Sequence, residues 1–239
     1  MKIARYRKDD AITYALGATV VMEYLNKRPD IVKGVIIHPD FRAEETKEKI
    51  NRICRDNRIQ VSTEEKPFNI LSQKENCFVI AVINKETSTL SEGNHIVLVN
   101  PSNAGNLGTI MRSSLGFGIK DIAIITPAVD PFDPKTVRAS MGASASVRVE
   151  LFEKFDDYKE RFGNNHFYPF MLDGSSSMQS TPIKENFSLI LGNEATGLPN
   201  EFQHIGQPIR IEHTKNIDSL NLPIAASIAM YEATRNNYI

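Results

Sequence analysis

The sequence contains no tryptophan, only two cysteines among 239 residues, and no apolar run near the about 18 residues that a membrane span needs. Cys54 and Cys77 lie far apart, without the short spacing of zinc ligands or a disulfide framework. We therefore expect two small core residues and no metal site. The first residues are charged and lack the apolar stretch of a signal peptide, which indicates a cytoplasmic protein with no membrane segment.

Two glycine-rich nucleotide-binding motifs are also missing. No stretch has the Gly-x-x-x-x-Gly-Lys-Ser/Thr pattern of a P-loop. The spacing of Gly105 and Gly108 does not supply the Gly-x-Gly-x-x-Gly of a dinucleotide site. A nucleotide-dependent enzyme of the doubly wound class is therefore only a competing interpretation, which a cofactor-binding screen would test.

The first 84 residues predict a small α/β domain. Apolar residues at helical spacing over 9–27 predict one helix, and the dense charge of 41–56 predicts a surface helix. The other elements expected in this part are strands at 31–37, 59–61 and 77–83, with a short helix at 67–73. Polar and small residues at 85–94 then predict a linker.

Residues 95–239 predict a second domain in which strands alternate with helices. This alternation is typical of a mostly parallel sheet covered on both faces. The predicted strands are 95–99, 121–125, 147–151, 167–172, 187–191 and 209–211, and the clearest helices are 107–115 and 222–235.

Three stretches of the second domain carry candidate chemistry. The first places Asn106 at a helix entrance and Arg112 one to two turns inside that helix. The second places Glu194 directly after a strand, at the edge where parallel sheets bind ligands. The third places Ser219 and Asn221 before the last helix, where both are good capping types. Taken alone, each stretch is equally compatible with a capped helix or a solvated turn.

In this order and at these distances, the three stretches resemble the three motifs of the SpoU, or TrmH, branch of the SPOUT RNA methyltransferases. Residues 130–143 resemble the linking segment of that family, so the likeness covers 95–239 almost continuously. The resemblance implies a deep trefoil knot in the catalytic domain and a homodimer whose active site draws on both subunits. By size and pattern, residues 1–84 resemble the L30e-like RNA substrate-binding domain of many members.

The resemblance implies transfer of a methyl group from S-adenosylmethionine to a ribose 2′-hydroxyl of ribosomal or transfer RNA. The residues that fall on the family's catalytic positions are Asn106, Arg112, Glu194, Ser219 and Asn221. The residues expected to hold the cofactor, largely through backbone groups, are Leu191, Gly192, Asn193, Ile211 and Leu220. Arg112 either acts as a base or stabilises the developing alkoxide electrostatically.

One stretch departs from the family pattern. Many members have Ile-Pro-Met-x-Gly where this chain has the residues Ile211-Glu212-His213-Thr214-Lys215. The loop beside the cofactor is therefore bulkier and more polar, and we expect backbone contacts to survive this change better than side-chain contacts. A catalytically silent RNA-binding protein with the same fold is the alternative, and the joint presence of the five catalytic residue types argues against it.

Overall fold

The structure is a computed structural model that describes residues 3–71, 77–173 and 175–238. Its strands are β1 (Ile12–Leu16), β2 (Val32–Ile37), β3 (Gln60–Thr63), β4 (Val79–Asn84), β5 (His95–Val99), β6 (Asp121–Ile125), β7 (Arg148–Phe152), β8 (His166–Pro169), β9 (Ser176–Ser177), β10 (Phe187–Leu191) and β11 (Ile209–Arg210). Its α-helices are α1 (Ala18–Lys27), α2 (Glu44–Asp56), α3 (Lys66–Leu71), α4 (Ala104–Gly116), α5 (Pro134–Ala139), α6 (Phe155–Phe162) and α7 (Leu222–Thr234). Residues 72–73 of the predicted helix 67–73 lie outside the described residues.

The chain divides into two compact units. Unit 1 combines residues 1–86 with residues 130–146, and unit 2 combines 87–129 with 147–239. Within the described ranges, no helix of either unit is long and apolar enough to cross a bilayer.

Unit 1 is built on a four-stranded sheet with the order β1-β4-β2-β3. Strand β4 is antiparallel to both of its neighbours, whereas β2 and β3 are parallel. One face of the sheet packs on Val21, Leu25 and Ile50 of helices α1 and α2. The other face packs on Phe68 of α3. Burial on both faces explains why β4 is an almost uninterrupted apolar run.

The predicted helix over 9–27 is wrong in its first half. Residues Ile12–Leu16 form strand β1, and the helix begins only at Ala18. Gly17 separates them with φ of 104°, a conformation that favours glycine. Because β1 is buried on both faces, its apolar side chains do not alternate, and over five residues they fit helical spacing as well as they fit a strand.

Residues 130–146 pack with unit 1, although the sequence analysis grouped them with the second domain. The Thr13 hydroxyl donates a hydrogen bond to the Phe132 carbonyl at 2.5 Å, and Tyr24 and Ser144 are hydrogen-bonded at 3.0 Å. Gly142 has φ of 94°, and a β-carbon there would lie 2.5 Å from the Glu23 side chain. The extra segment therefore belongs to the body of unit 1, and its glycine is sterically required.

Unit 2 is built on a five-stranded sheet with the order β7-β6-β5-β10-β8, in which every neighbouring pair is parallel. All residues of β5, β6 and β10 are buried, as expected for strands covered on both faces. The prediction of an α/β fold with a parallel sheet is confirmed. Strand β8 ends at Pro169, three residues before the predicted end, and α4 begins three residues before its predicted start.

A buried chain of hydrogen bonds crosses the amino ends of β5 and β10. His95 Nε2 contacts the Ser91 carbonyl at 2.7 Å, so Nε2 donates and Nδ1 of the neutral ring accepts from the Tyr158 hydroxyl at 2.8 Å. Tyr158 is hydrogen-bonded to Ser188 at 2.6 Å, and Ser188 accepts from Asn165 at 3.1 Å. Burial lowers the pKa of His95 below its ordinary 6.5, and the Ser91 carbonyl opposes this effect only in part. If Nδ1 of His95 were protonated, it would donate to the Tyr158 hydroxyl, and the hydrogen bond between them would have to reverse its direction.

We expect the free energy of unfolding to decrease as the pH falls below 6.5, the ordinary pKa of His95. Because the folded-state pKa is lowered, the unfolded chain takes up the proton first, and the loss is at most about 1.4 kcal/mol per pH unit. Urea denaturation from about pH 7.5 to pH 5.5 measures the slope. His95→Asn should give a shallower slope than wild type, whereas His166→Asn, at an exposed position, should keep it. Equal slopes in all three proteins would contradict the expectation.

Candidate active site

The order of the unit 2 sheet reverses between β5 and β10. From β5 the chain moves outward to β6 and β7, then crosses to β8 on the other side and returns to β10 beside β5. The connections that leave β5 and β10 therefore diverge at the carboxyl end of the sheet. Such a reversal opens a crevice, and open parallel sheets bind their ligands there.

The loop after β10 is a tight turn fixed by its own backbone. Asn193 and Gly197 exchange hydrogen bonds of 3.2 and 2.9 Å, and the Asn193 side chain accepts one from the Ala195 N–H at 2.8 Å. A β-carbon on Gly192 would lie 2.1 Å from the Gly197 carbonyl carbon. The Asn193 amide also donates to the Asn100 carbonyl at 2.7 Å, which ties this loop to the loop after β5.

The Glu194 carboxylate joins the same two loops. One oxygen accepts hydrogen bonds from the Ser102 N–H at 3.0 Å and the Ser102 hydroxyl at 2.8 Å. The other accepts from the Asn103 N–H at 3.2 Å and the Asn106 amide at 3.1 Å. Burial alone would raise the pKa of Glu194, but hydrogen bonds from its own backbone, Ser102 and Asn106 outweigh it and lower the pKa. The group is therefore an ionised carboxylate, which we call the Glu194 bridge.

Helix α4 begins within the Glu194 bridge. The Asn103 side chain accepts a hydrogen bond from the Asn106 N–H at 3.0 Å and caps the helix. This cap turns the Asn106 amide toward Glu194. Asn103 is thus a capping residue, whereas Asn106 presents its side chain at the edge of the crevice.

A cleft of about 430 Å³ lies on the β10 side of this bridge. Its walls come from the segments 170–173 and 191–198 of unit 2 and from eight residues between 210 and 225, together with Asn200 and Gln203. The charged side chains on the described walls are three carboxylates and one guanidinium, and they belong to Asp173, Glu194, Asp218 and Arg210. The excess of negative charge favours a ligand that carries positive charge.

Most of the residues selected from the sequence meet at this cleft. Those that line it are Leu191, Gly192, Asn193, Glu194, Ile211, Ser219 and Leu220. Asn106 adjoins it through Glu194, whereas Arg112 and Asn221 are not among its lining residues. Asn221 occupies the N-cap position of α7 but, within the described residues, makes no capping hydrogen bond with its side chain. A capping role therefore does not explain why an asparagine occupies position 221.

Arg112 lies on α4 with an exposed side chain. Among the described residues it has no hydrogen-bond or ion-pair partner. The Ser113 hydroxyl, next to it in the chain, accepts a hydrogen bond from Ser227 of α7 at 2.9 Å. The described unit thus leaves the Arg112 guanidinium available to a group outside this chain.

Several side chains at the cleft and at the Glu194 bridge were not predicted from the sequence. Asp173 follows the end of β8, where the carboxyl-end rule could have found it. Ser102, which contributes two of the hydrogen bonds to Glu194, follows β5 in the same way. Arg210, His213 and Asp218 lie in the stretch before α7. For these three side chains, the sequence offered no signal that distinguishes the cleft wall from solvent.

Comparison with known proteins identifies the family to which residues 93–231 belong and finds solved structures that match nearly the whole chain. Residues 93–231 match the family model of the SpoU rRNA Methylase family. The 23S rRNA (guanosine(2553)-2′-O)-methyltransferase RlmP of Bacillus subtilis is 25% identical over 227 residues, which are 92% of this chain and 87% of that protein. The 23S rRNA (uridine(2479)-2′-O)-methyltransferase of Streptomyces viridochromogenes is 30% identical over 151 residues, which are 59% of this chain and 52% of that protein.

A solved structure covers nearly the whole chain. The AdoMet-bound rRNA methyltransferase from Sinorhizobium meliloti superposes with a TM-score of 0.79 at 25% identity, over 95% of this chain and 88% of that chain. In the part of this chain that the structure describes, no group of three or more His, Cys, Asp or Glu side chains is arranged to hold a metal ion.

We predict that Glu194→Gln lowers the free energy of unfolding by about 1.5–3 kcal/mol at pH 7, because an amide cannot accept from all four donors of the bridge. Since the pKa of Glu194 is lowered, its stabilisation is present above the ordinary value of 4.5 and is lost as the pH falls through the lowered pKa. The difference between wild type and variant should therefore shrink in acid. Glu185→Gln removes an equal charge at an exposed position and is the control. A stability loss no larger than that of the control would refute the bridge.

Proposed function

The chain belongs to the SpoU rRNA Methylase family, and on this basis we propose that it transfers a methyl group from S-adenosylmethionine to a ribose 2′-hydroxyl of ribosomal or transfer RNA. The observation that carries the proposal is the Glu194 bridge. It joins the start of α4, where Asn106 lies, to the loop that borders the cleft. The same Glu194 carboxylate therefore binds the Asn106 amide and lines the cleft. RNA of these kinds is found in the cytoplasm, and we place the enzyme there.

The size, the apolar lining and the charge of the cleft support binding of S-adenosylmethionine. Its volume of about 430 Å³ lies in the range of about 300–1,000 Å³ that is usual for small-ligand sites. Leu191, Leu198 and Leu222 supply apolar surface for a nucleoside. The excess of carboxylates suits a molecule with a positive sulfonium. We infer that Leu191, Gly192, Asn193, Ile211 and Leu220 hold it, largely through backbone groups.

When bound, S-adenosylmethionine would supply an electrophilic methyl group: the ribose oxygen would bond to the methyl carbon as the carbon–sulfur bond breaks, S-adenosylhomocysteine would leave, and the hydroxyl proton would pass to solvent water. The protein has to align the sugar hydroxyl and make it a better nucleophile. Asn106, Ser219 and Asn221 offer amide and hydroxyl groups that can hold the ribose in line, and such alignment is worth several kcal/mol in enzymes. Glu194, saturated by four donors, fixes Asn106 and does not act as the base.

Arg112 is proposed to stabilise the oxygen as it loses its proton. A guanidinium stays charged and is a donor only, so electrostatic stabilisation of the developing alkoxide suits it better than proton abstraction. Its exposed position without an ion-pair partner among the described residues supports this role. Because Arg112 is exposed and is not among the lining residues of the cleft in its own chain, we propose that it acts at the cleft of a second copy.

We predict that Arg112→Ala binds S-adenosylmethionine with wild-type affinity but loses about 10²–10³-fold in the rate of methyl transfer. Arg112→Lys should recover little, because an ammonium lacks the planar fork of donors. Lys120→Ala, which removes a positive charge at another exposed position of unit 2, should keep the activity. Calorimetry gives the affinity, and radiolabel transfer to RNA from cells that lack the protein gives the rate. Substantial transfer by Arg112→Ala would exclude this role.

Unit 1 is proposed to be an L30e-like domain that selects the RNA. Exposed basic side chains lie before β1, on α2 and just after α2, and they belong to Arg5, Arg7, Lys8, Arg52, Arg55 and Arg58. Among the described residues, none of the six is held in an ion pair. Phosphate contacts from such groups would make binding fall steeply with salt concentration. We propose 1–84 as the RNA-binding domain, 85–94 as the linker and 95–239 as the catalytic domain. Residues 130–146 belong to the proposed catalytic domain in sequence but pack in unit 1.

We also propose that unit 2 contains the deep trefoil knot of its family. Knots are nearly absent from proteins in general, so topology rules give no reason to expect one. The support is the family membership and the likeness to solved family structures over nearly the whole chain. The knot would lie in the segments that lead into α7, which also line the cleft.

A homodimer is proposed because α7 has an exposed apolar face. Ile224, Ile228 and Tyr231 are spaced by four and three residues and are 54%, 36% and 53% exposed. They therefore lie on one side of the helix. Ala226 and Ala229, which are fully buried, face the interior of unit 2. A second copy of the chain on this face would cover the apolar side chains and bring a second α4 close to the site.

We predict that Ile224→Glu converts the dimer to a monomer, because it buries a charge in the proposed interface. The substitution lies in the first turn of α7, where an acidic residue favours the helix, so the fold should be retained. Leu151→Glu places the same charge on a position of unit 2 that is 48% exposed and outside the face. Analytical ultracentrifugation should show a monomer only for Ile224→Glu. A monomeric wild type, or a dimeric Ile224→Glu, would contradict the proposal.

The function itself is tested by mapping ribose methylation in total RNA from cells with and without the protein. We expect one or a few 2′-O-methyl positions to disappear with the protein and to return with wild type but not with Arg112→Ala. An unchanged map would favour the alternative, a silent RNA-binding protein of the same fold.

A further inference from the structure

The cleft wall contains one histidine, His213, in the stretch where this chain departs from the pattern of its family. The side chain is half-buried and lines the cleft together with Ile211. The function proposed above assigns it no role.

Side-chain contacts fix the segment that leads to this histidine. Strand β11 pairs with β9 in a short parallel ladder. The Arg210 guanidinium donates to the Ser175 carbonyl. The Ser177 hydroxyl is hydrogen-bonded to the Glu212 carboxylate and lowers its pKa. These contacts fix the position of the backbone immediately before His213.

The histidine ring has a defined orientation. Its Nδ1 lies 3.0 Å from the Ile211 carbonyl, and because a carbonyl can only accept, Nδ1 carries the hydrogen. In the neutral form of the ring, this hydrogen on Nδ1 leaves a lone pair on Nε2. Among the described residues, Nε2 has no hydrogen-bond partner. The cleft wall therefore contains an acceptor that is held in place and left for a ligand.

We propose that His213 is a cofactor-binding residue whose Nε2 accepts a hydrogen bond from an N–H or O–H group of the adenosine part of S-adenosylmethionine. This inference rests on the proposed function. The ammonium of the ligand has better partners in the same cleft, since Asp173 and Asp218 carry the opposite charge. A neutral acceptor is left for the neutral donors, which are the amino group of adenine and the ribose hydroxyls.

Three substitutions separate contact with the ligand from positioning of the loop. His213→Leu removes both nitrogens. His213→Asn keeps a donor near the place of Nδ1, so it can still bond the Ile211 carbonyl, but it has no group at the place of Nε2. His213→Gln keeps an acceptor near Nε2 and loses the Nδ1 donor. Calorimetry with S-adenosylmethionine and with 5′-methylthioadenosine, which lacks the amino-acid tail, measures binding, and thermal melting checks the fold.

We expect His213→Leu and His213→Asn to bind both ligands about 3- to 10-fold more weakly than wild type, the range of one hydrogen bond. His213→Gln should bind close to wild type. Wild-type binding by His213→Asn with weak binding by His213→Gln would show a positioning role and overturn the inference. If the variants bound only S-adenosylmethionine more weakly, and 5′-methylthioadenosine as wild type does, the contact would be to the amino-acid tail, and this result would also overturn the inference. If wild type bound neither ligand, the proposed function itself would fail.

Discussion

The Glu194 carboxylate is the contact on which the site depends. It accepts four hydrogen bonds from Ser102, Asn103 and Asn106, and so holds the loop after β5 against the loop after β10. Two parallel strands whose connections run in opposite directions would otherwise leave an open crevice. With the bridge in place, the start of α4 and the border of the cleft become one rigid edge, at which a hydroxyl and a methyl donor can meet.

The charge of the site is divided between two places. Carboxylates dominate the described cleft walls, which suits a sulfonium, whereas the exposed Arg112 guanidinium lies outside the walls on α4. Within a single chain, the Arg112 guanidinium is therefore separate from the cleft that we propose for the methyl donor. Because α4 packs on α7, and α7 carries an exposed apolar face, the dimer that we propose would bury that face and bring a second Arg112 toward the cleft.

Elements bounded by polar loops were predicted correctly from the sequence. The prediction was wrong where two apolar elements follow each other without a polar loop between them. Strands β5 and β10 are uninterrupted apolar runs between polar loops, and their prediction is confirmed. Strand β1 is equally apolar, but it continues through Gly17 into α1, so one helix was predicted for both. Glu194 was found because ligands bind at strand ends, whereas the packing of 130–146 in unit 1 depends on distant contacts that no local pattern records.

A crystal structure of the protein with S-adenosylhomocysteine tests the central claim most directly. The account predicts the nucleoside between the loop after β10 and the stretch before α7, with its sulfur toward Asn106 and the Glu194 bridge intact. A nucleoside bound elsewhere on the chain, or a bound state in which the two loops separate, would contradict it.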